Sequence, residues 1–169
     1  MRTKASNEAT LEFLSRSSNE GFARSAAACF AAQMDPTLNE LEDIKTAVSE
    51  AVTNAIVHAY PDSIGTVTVK LRICPDHVLE MVVRDRGKGI ADIARARTPM
   101  FTTGGEERSG MGFTIMESFM DHLSVRSVPG RGTTVTMKKR LQPRAKGGAP
   151  RWNCCGRRRK GTGRPVSRQ

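Results

Sequence analysis

Val82-Val83-Arg84-Asp85-Arg86-Gly87-Lys88-Gly89-Ile90 is an apolar strand end that delivers a carboxylate, Asp85, into a loop that two glycines keep clear of side chains. Glycine tolerates positive φ and close backbone approach, so such a loop suits a ligand lying against the main chain. Taken alone, Asp-x-Gly-x-Gly reads first as an ordinary turn, because Asp and Gly both favour turns. Two further stretches change its meaning: Glu50-Ala51-Val52-Thr53-Asn54-Ala55 upstream and Ser109-Gly110-Met111-Gly112-Phe113 downstream.

Outward from the loop, the chain alternates helical and strand patterns. Val78 to Arg84 reads as the return strand of a hairpin whose first strand is Thr66 to Ile73. There Val67, Val69, Leu71 and Ile73 alternate with Thr66, Thr68, Lys70 and Arg72, the period of a half-buried strand. Upstream, Thr37-Leu38-Asn39-Glu40 has the form of a capping box and opens a long helix to about Ala59. Its expected buried stripe is Leu41, Ile44, Val48, Ala51, Val52, Ala55 and Ala59. A first helix is expected from a second such box, Ser17-Ser18-Asn19-Glu20, with Phe22, Ala26, Cys29, Phe30 and Met34 on its inner face and Asp35-Pro36 as its stop. Thr10 to Ser15 reads as a short first strand. Downstream, Ala91 to Arg108 suggests a short helix and a mobile loop, and Met111 to about Asp121 a further helix. Leu123 to Val128 and Thr133 to Lys139 form a second hairpin around Pro129-Gly130-Arg131-Gly132.

With 169 residues, 38% hydrophobic and 26% charged, the chain has material for one well-cored domain. No apolar run approaches the roughly 20 residues of a membrane span, and no apolar segment follows the N-terminal charges as in a signal peptide. The expected location is the cytoplasm. The net charge of +10 is concentrated at one end: twelve of the 27 Lys and Arg residues fall between Lys138 and Gln169, which holds no acidic residue. We therefore divide the chain into a nearly neutral folded domain, 1–140, and a basic Gly/Pro/Arg-rich tail, 141–169, expected to be disordered. Nucleic-acid binding is not expected beyond a weak, salt-sensitive affinity of that tail. Cys29, Cys74, Cys154 and Cys155 show no metal-ligand spacing and read as reduced thiols.

The chemistry resides in the three glycine- or carboxylate-bearing stretches. Glu50 and Asn54 stand four apart on a helix, so their side chains share a face. Such a pair suits either a solvated surface or a Mg²⁺ site beside a base. An amide oxygen from Asn54 fits a hard cation that keeps phosphate and water ligands, and Glu50 would take a proton from an attacking hydroxyl. Asp85, as an acceptor, would receive the exocyclic amine of adenine, with Gly87 and Gly89 admitting the base and ribose. The Ser109 to Phe113 run precedes a helix, whose free N–H groups favour phosphate. No Walker-type loop is present.

Order and spacing of these stretches resemble the Bergerat-type ATPase/kinase superfamily of gyrase, Hsp90, MutL and the histidine kinases. The elements are an N-box (Glu50, Asn54), a first glycine box (Asp85, Gly87, Gly89), a lid and a second glycine box (Gly110, Gly112). Val48 to Ile56, Phe101-Thr102-Thr103 and Glu107 to Glu117 are closer still to the anti-sigma-F family of spore-forming bacteria, and the resemblance runs from about Leu11 to Lys139. It implies an α+β fold, a two-layer α/β sandwich with a mostly antiparallel mixed sheet and helices on one face. It also implies a homodimeric, ATP- and Mg²⁺-dependent serine kinase that inhibits a sporulation sigma factor and phosphorylates an anti-anti-sigma protein. By matching position, Glu50 would be the base and Asn54 the Mg²⁺ ligand. Asp85, Gly87, Gly89, Arg108, Gly110, Met111, Gly112 and Thr133 would hold nucleotide, and Arg24 would dock partners. Three features depart from the family: Arg86 and Lys88 within the first glycine box, a shorter lid around Gly104-Gly105, and the tail from about Leu141, which has no counterpart in it. A histidine kinase would need a phosphoacceptor histidine ahead of the N-box, whereas His58, His77 and His122 lie within or after it. An ATP-switched binding module without phosphotransfer is the remaining alternative.

Overall fold

The computed structural model describes residues 5–96 and 111–142. The layer that positions everything else is a single helix, α2 (Leu38–Ala59). Thr37 caps it as expected: its hydroxyl accepts from Glu40 N at 3.2 Å and Glu40 Oε2 accepts from Thr37 N at 2.7 Å. Two otherwise orphaned N–H groups are thereby satisfied. Ile44, Val48, Ala51, Val52, Ala55 and Ala59 are buried, joined by Ala47, while Leu41 is half-buried.

The first helix, α1 (Ser18–Ala31), forms where expected but differs in two respects. Its N-cap Ser17 makes no side-chain cap bond. Glu20, the other half of that box, instead accepts a hydrogen bond from Ser49 on α2 and lies 3.6 Å from Arg24. The buried face is also rotated. Ala23, Ala27, Phe30 and Ala31 are buried, whereas Phe22 is 54% exposed, Cys29 is exposed and Ala26 and Met34 are half-buried. Small alanines let α1 lie close on α2, and Phe22 packs edge-on against Phe13 at the margin, with ring centroids 6.2 Å apart. A 3-10 turn, Ala32–Met34, follows and ends at Asp35, whose φ of 53° breaks the helix before Pro36.

Five strands form one sheet: β1 (Asn7–Leu14), β2 (Thr66–Cys74), β3 (Val78–Asp85), β4 (His122–Val128) and β5 (Gly132–Arg140). Their order is β1-β2-β3-β5-β4, and all four pairings are antiparallel, so the sheet contains no parallel pair among the described residues. β1 is longer than the strand expected at Thr10 to Ser15. Alternation sends Val67, Val69, Leu71, Leu79, Met81, Val83, Val135 and Met137 into the core beneath the helices. The other face carries charge instead. In one row Glu8 lies opposite Arg72, Arg72 opposite Glu80, and Glu80 opposite Lys138. Arg72 and Lys138 reach Glu80 at 2.6 and 3.1 Å.

Between β3 and β4 run a short helix, α3 (Ile93–Ala96), and α4 (Gly112–Phe119). Leu141 is buried in the core at 1% exposure. It thus stands on the folded side of the boundary expected at 140, and the rest of the basic tail beyond Gln142 lies outside the described residues. No described helix is long and apolar enough to cross a membrane.

Candidate functional site

The C-terminal half of α2, the end of β3, α3, the start of α4 and the β4–β5 turn enclose a cleft of about 850 Å³. Glu50, Asn54, Asp85, Gly89, Met111, Gly112 and Thr133 all line it. Residues as far apart in sequence as Glu50 and Thr133 thus meet at one cavity because α2 packs on the sheet beside β3 and β5. Thr53, His58, Lys88, Asp92 and Arg95 also line its walls. Arg108 and Gly110 lie outside the described residues, as does most of the expected lid. Arg24 stands apart from the cleft on α1, with its side chain 44% exposed.

Asp85 ends β3 and is only 5% exposed. Its Oδ1 accepts from Gly87 N at 2.9 Å and from Thr133 N at 3.1 Å. Burial pushes its carboxyl above the usual range, against the lowering effect of those two backbone N–H groups. A carboxylate held by backbone donors in a water-poor wall is aimed and cannot rotate away. Thr133 is itself fixed, its hydroxyl 2.9 Å from that of Ser127.

The glycine loop is built against the protein from every side. Arg86 N donates to Tyr60 Oη (2.8 Å), Lys88 N to Ala59 O (3.0 Å) and Ile90 N to Ser127 Oγ (2.7 Å), while Lys88 O accepts from Gly130 N (2.7 Å). This explains the glycines more directly than ligand access does. A Cβ at Gly87 would come within 2.1 Å of Ala59 O, and one at Gly89, where φ is +71°, within 2.4 Å of Val128 O. Both bare backbones are therefore needed for the loop to seat on α2 and on the β4–β5 turn. Lys88 lines the cleft, and Arg86 is exposed.

Tyr60 and Ser127 were not singled out by sequence. Tyr60 Oη donates to Thr66 O at 2.8 Å while accepting from Arg86 N. One hydroxyl thus ties the end of α2 to the start of β2 and to the first residue of the glycine loop. The signal available was positional only: a Tyr directly after the helix and a Ser six residues before Thr133.

At the other end of the cleft, Gly112 opens α4 beside the N-box. A Cβ there would stand 2.9 Å from Glu50 Oε2, 3.3 Å from Asn54 Nδ2 and 3.6 Å from Asn54 Oδ1. The missing side chain thus leaves a small polar cradle between helix N–H groups, a carboxylate and an amide. Those donors fit a polyphosphate with a hard divalent cation: N–H groups for phosphate oxygens, and an amide oxygen as one of several oxygen ligands.

The class of protein follows from comparison with known ones. Residues 15–139 match the model of the histidine kinase-like ATPase domain. In solved structures, the RsbU and RsbW domains of a Mycobacterium tuberculosis protein align over 80% of this chain and 32% of that one, with a TM-score of 0.60 and 20% identity. At that identity the likeness concerns the fold alone. Closer in sequence is an Anti-sigma F factor of Caldanaerobacter subterraneus subsp. tengcongensis, 56% identical over 134 residues, spanning 79% of this chain and 93% of the relative. The Anti-sigma F factor of Bacillus subtilis is 55% identical over 137 residues, again covering 93% of that protein. The chain belongs to the anti-sigma F factor family, within the histidine kinase-like ATPase domain proteins.

Proposed function

We propose that the chain is an ATP-dependent protein serine kinase that also acts as an anti-sigma factor. In this reading it works in the cytoplasm as a homodimer and, when ATP-bound, holds a sigma-F-type sporulation sigma factor inactive. It releases that factor to an anti-anti-sigma protein, which it phosphorylates on serine. The observation that carries the reading is the convergence of Glu50, Asn54 and the bare Gly112 at one end of a cleft whose wall holds the buried, backbone-tethered Asp85. The names of the relatives support the sigma-factor partner.

Asp85 receives the adenine amine, with Thr133 beside it, and the rigid loop from Arg86 to Ile90 supports base and ribose. The start of α4 meets the phosphates, where Met111, Gly110 and Arg108 would complete the enclosure. Asn54 supplies one oxygen to Mg²⁺. Among the described residues no group of three or more His, Cys, Asp or Glu could hold a metal ion, so the other ligands would come from phosphate and water. Mg²⁺ held there would offset charge on the phosphate oxygens. The partner's serine oxygen attacks the γ-phosphorus, the bond to the bridging β-oxygen breaks, ADP departs, and the serine proton passes to Glu50. Arg24, exposed on α1, would contact the partner.

The test is transfer of labelled γ-phosphate from Mg-ATP to the anti-anti-sigma protein, scored as acid-stable phosphoserine. Nucleotide-dependent sigma-factor capture without any phosphoserine would replace the kinase with an ATP-switched binding module. Failure of both would remove the proposal.

A further inference from the structure

Lys139 occupies an inward-facing position of β5, in the same alternating row as Val135 and Met137. An ammonium group on the apolar side of a sheet is costly unless paired. Here it is paired: Nζ donates to Phe119 O at 2.8 Å and to Asp43 Oδ2 at 3.0 Å, and the side chain is 13% exposed. Phe119 is the last residue of α4, and its carbonyl is one of the helix's unsatisfied C-terminal acceptors. A cation there also opposes the negative end of the helix dipole. Asp43 lies on α2, seven residues before Glu50, which is two turns along the same face.

The two helices are therefore braced at two points. At one end Lys139 joins Phe119 of α4 to Asp43 of α2. At the other, Gly112 of α4 rests against Glu50 and Asn54 of α2. Met116, fully buried, packs between. α4 runs antiparallel to this part of α2, and its eight residues span about 11 Å, the length of the two α2 turns between the braces. With the far end fixed, a short helix has little freedom to slide, and the position of its first N–H groups over the cleft is set.

We propose that Lys139 is a positioning residue for the phosphate end of the nucleotide site, acting through α4 without touching the ligand. The proposal rests on the nucleotide-binding reading above. The experiment compares affinities for Mg-ATP and for AMP in the wild type, Lys139→Met, Lys139→Arg and Asp43→Asn, using calorimetry for ATP and ligand-observed NMR for the weaker AMP. AMP uses the adenine end at Asp85 and only one phosphate, so it reports the half of the cleft that Lys139 does not brace. Lys139→Met should lower ATP affinity by about tenfold, the effect of losing one charge-assisted hydrogen bond, with AMP affinity unchanged. Lys139→Arg, which keeps the cation, should recover most of the loss, and Asp43→Asn should fall between. An unchanged ratio of ATP to AMP affinity in Lys139→Met overturns the proposal, as does a parallel fall of both. If Lys139→Met does not fold, the ratio in Asp43→Asn decides in the same way. Absence of ATP binding in the wild type would instead refute the nucleotide reading itself.

Discussion

Gly112→Ala separates stability from function at a single atom. Gly112 has no positive φ, so alanine meets no backbone strain there. Replacing glycine at a compatible position lowers the entropy of the unfolded chain and is worth about 0.4–1 kcal/mol. The added methyl would stand 2.9 Å from Glu50 Oε2 and 3.3 Å from Asn54 Nδ2. A carbon needs about 3.5 Å from such neighbours, so the Glu50 carboxylate must retreat by roughly half an ångström. Because Oε2 is the far end of a side chain with several rotatable bonds, its retreat costs less in folding than a shift of backbone would. It costs more in chemistry: misplacing a reacting group by about 1 Å lowers rate by up to about 10²-fold, so a fall of about tenfold or more in phosphotransfer is expected. Urea denaturation of the nucleotide-free protein should show equal or greater stability, while labelled phosphate transfer falls. Wild-type transfer in Gly112→Ala would show that the contact between α4 and the N-box does not matter. Loss of stability would show that the helix start cannot adjust as argued.

Glu50→Gln keeps the shape of the side chain, removes its proton affinity and so tests the proposed base. Phosphotransfer should fall about 10²–10⁴-fold with ATP affinity nearly unchanged, as read by paired kinetics and calorimetry. Tyr60→Phe removes the acceptor for Arg86 N and the donor to Thr66 O, and should cost about 1–3 kcal/mol in thermal or chemical denaturation, with weaker adenine binding. Asp85→Asn retains an oxygen for the Gly87 and Thr133 N–H groups while removing a buried charge. Because burial raises the Asp85 carboxyl in the folded state, its contribution is present below the ordinary carboxylate range and is lost as pH rises through the raised value. The stability of Asp85→Asn relative to wild type should therefore improve with rising pH, while adenine binding is lost. Glu80 behaves oppositely. Burial pushes it up, but Lys138 and Arg72 together hold it below its usual value, so the stability it contributes is present at neutral pH and lost as pH falls through the lowered one. Glu80→Gln should flatten that acid limb in pH-dependent denaturation.

Where local signals were strong, the fold was legible. α2 carries a reciprocal cap and an uninterrupted apolar stripe, and β2 alternates cleanly, so both formed as read. The buried face of α1 is rotated from the expected one. Phe30 is buried as expected, but the other core contacts are made by Ala23, Ala27 and Ala31, and close helix approach favours small residues over Phe22. The Ser17 box failed because Glu20 found Ser49 on another helix, a partner 29 residues away that local spacing cannot reveal. In the site, the carboxylates and glycines could be named from their motif, but the reason for Gly87 and Gly89 could not. Their neighbours, Ala59 and Val128, come close only after the sheet and helix layers assemble. The same holds for Tyr60, Ser127 and Lys139, whose roles depend on pairings 20 to 37 residues away or more.

The last described residues have a consequence for anything joined to this domain. Leu141 N donates to His77 O at 2.8 Å and Gln142 N to Glu40 Oε1 at 2.9 Å, so the chain is moored to the cap of α2 at the point where it leaves the core. That mooring lies ten residues along the helix from Glu50, about 15 Å. A fluorophore, affinity tag or fused protein attached after Gln142 would begin its path beside the first turn of α2, at a distance from the cleft. Cargo there can be exchanged without crowding the cleft, whereas cutting the chain before Leu141 would remove a fully buried leucine and the mooring on Glu40 in one stroke.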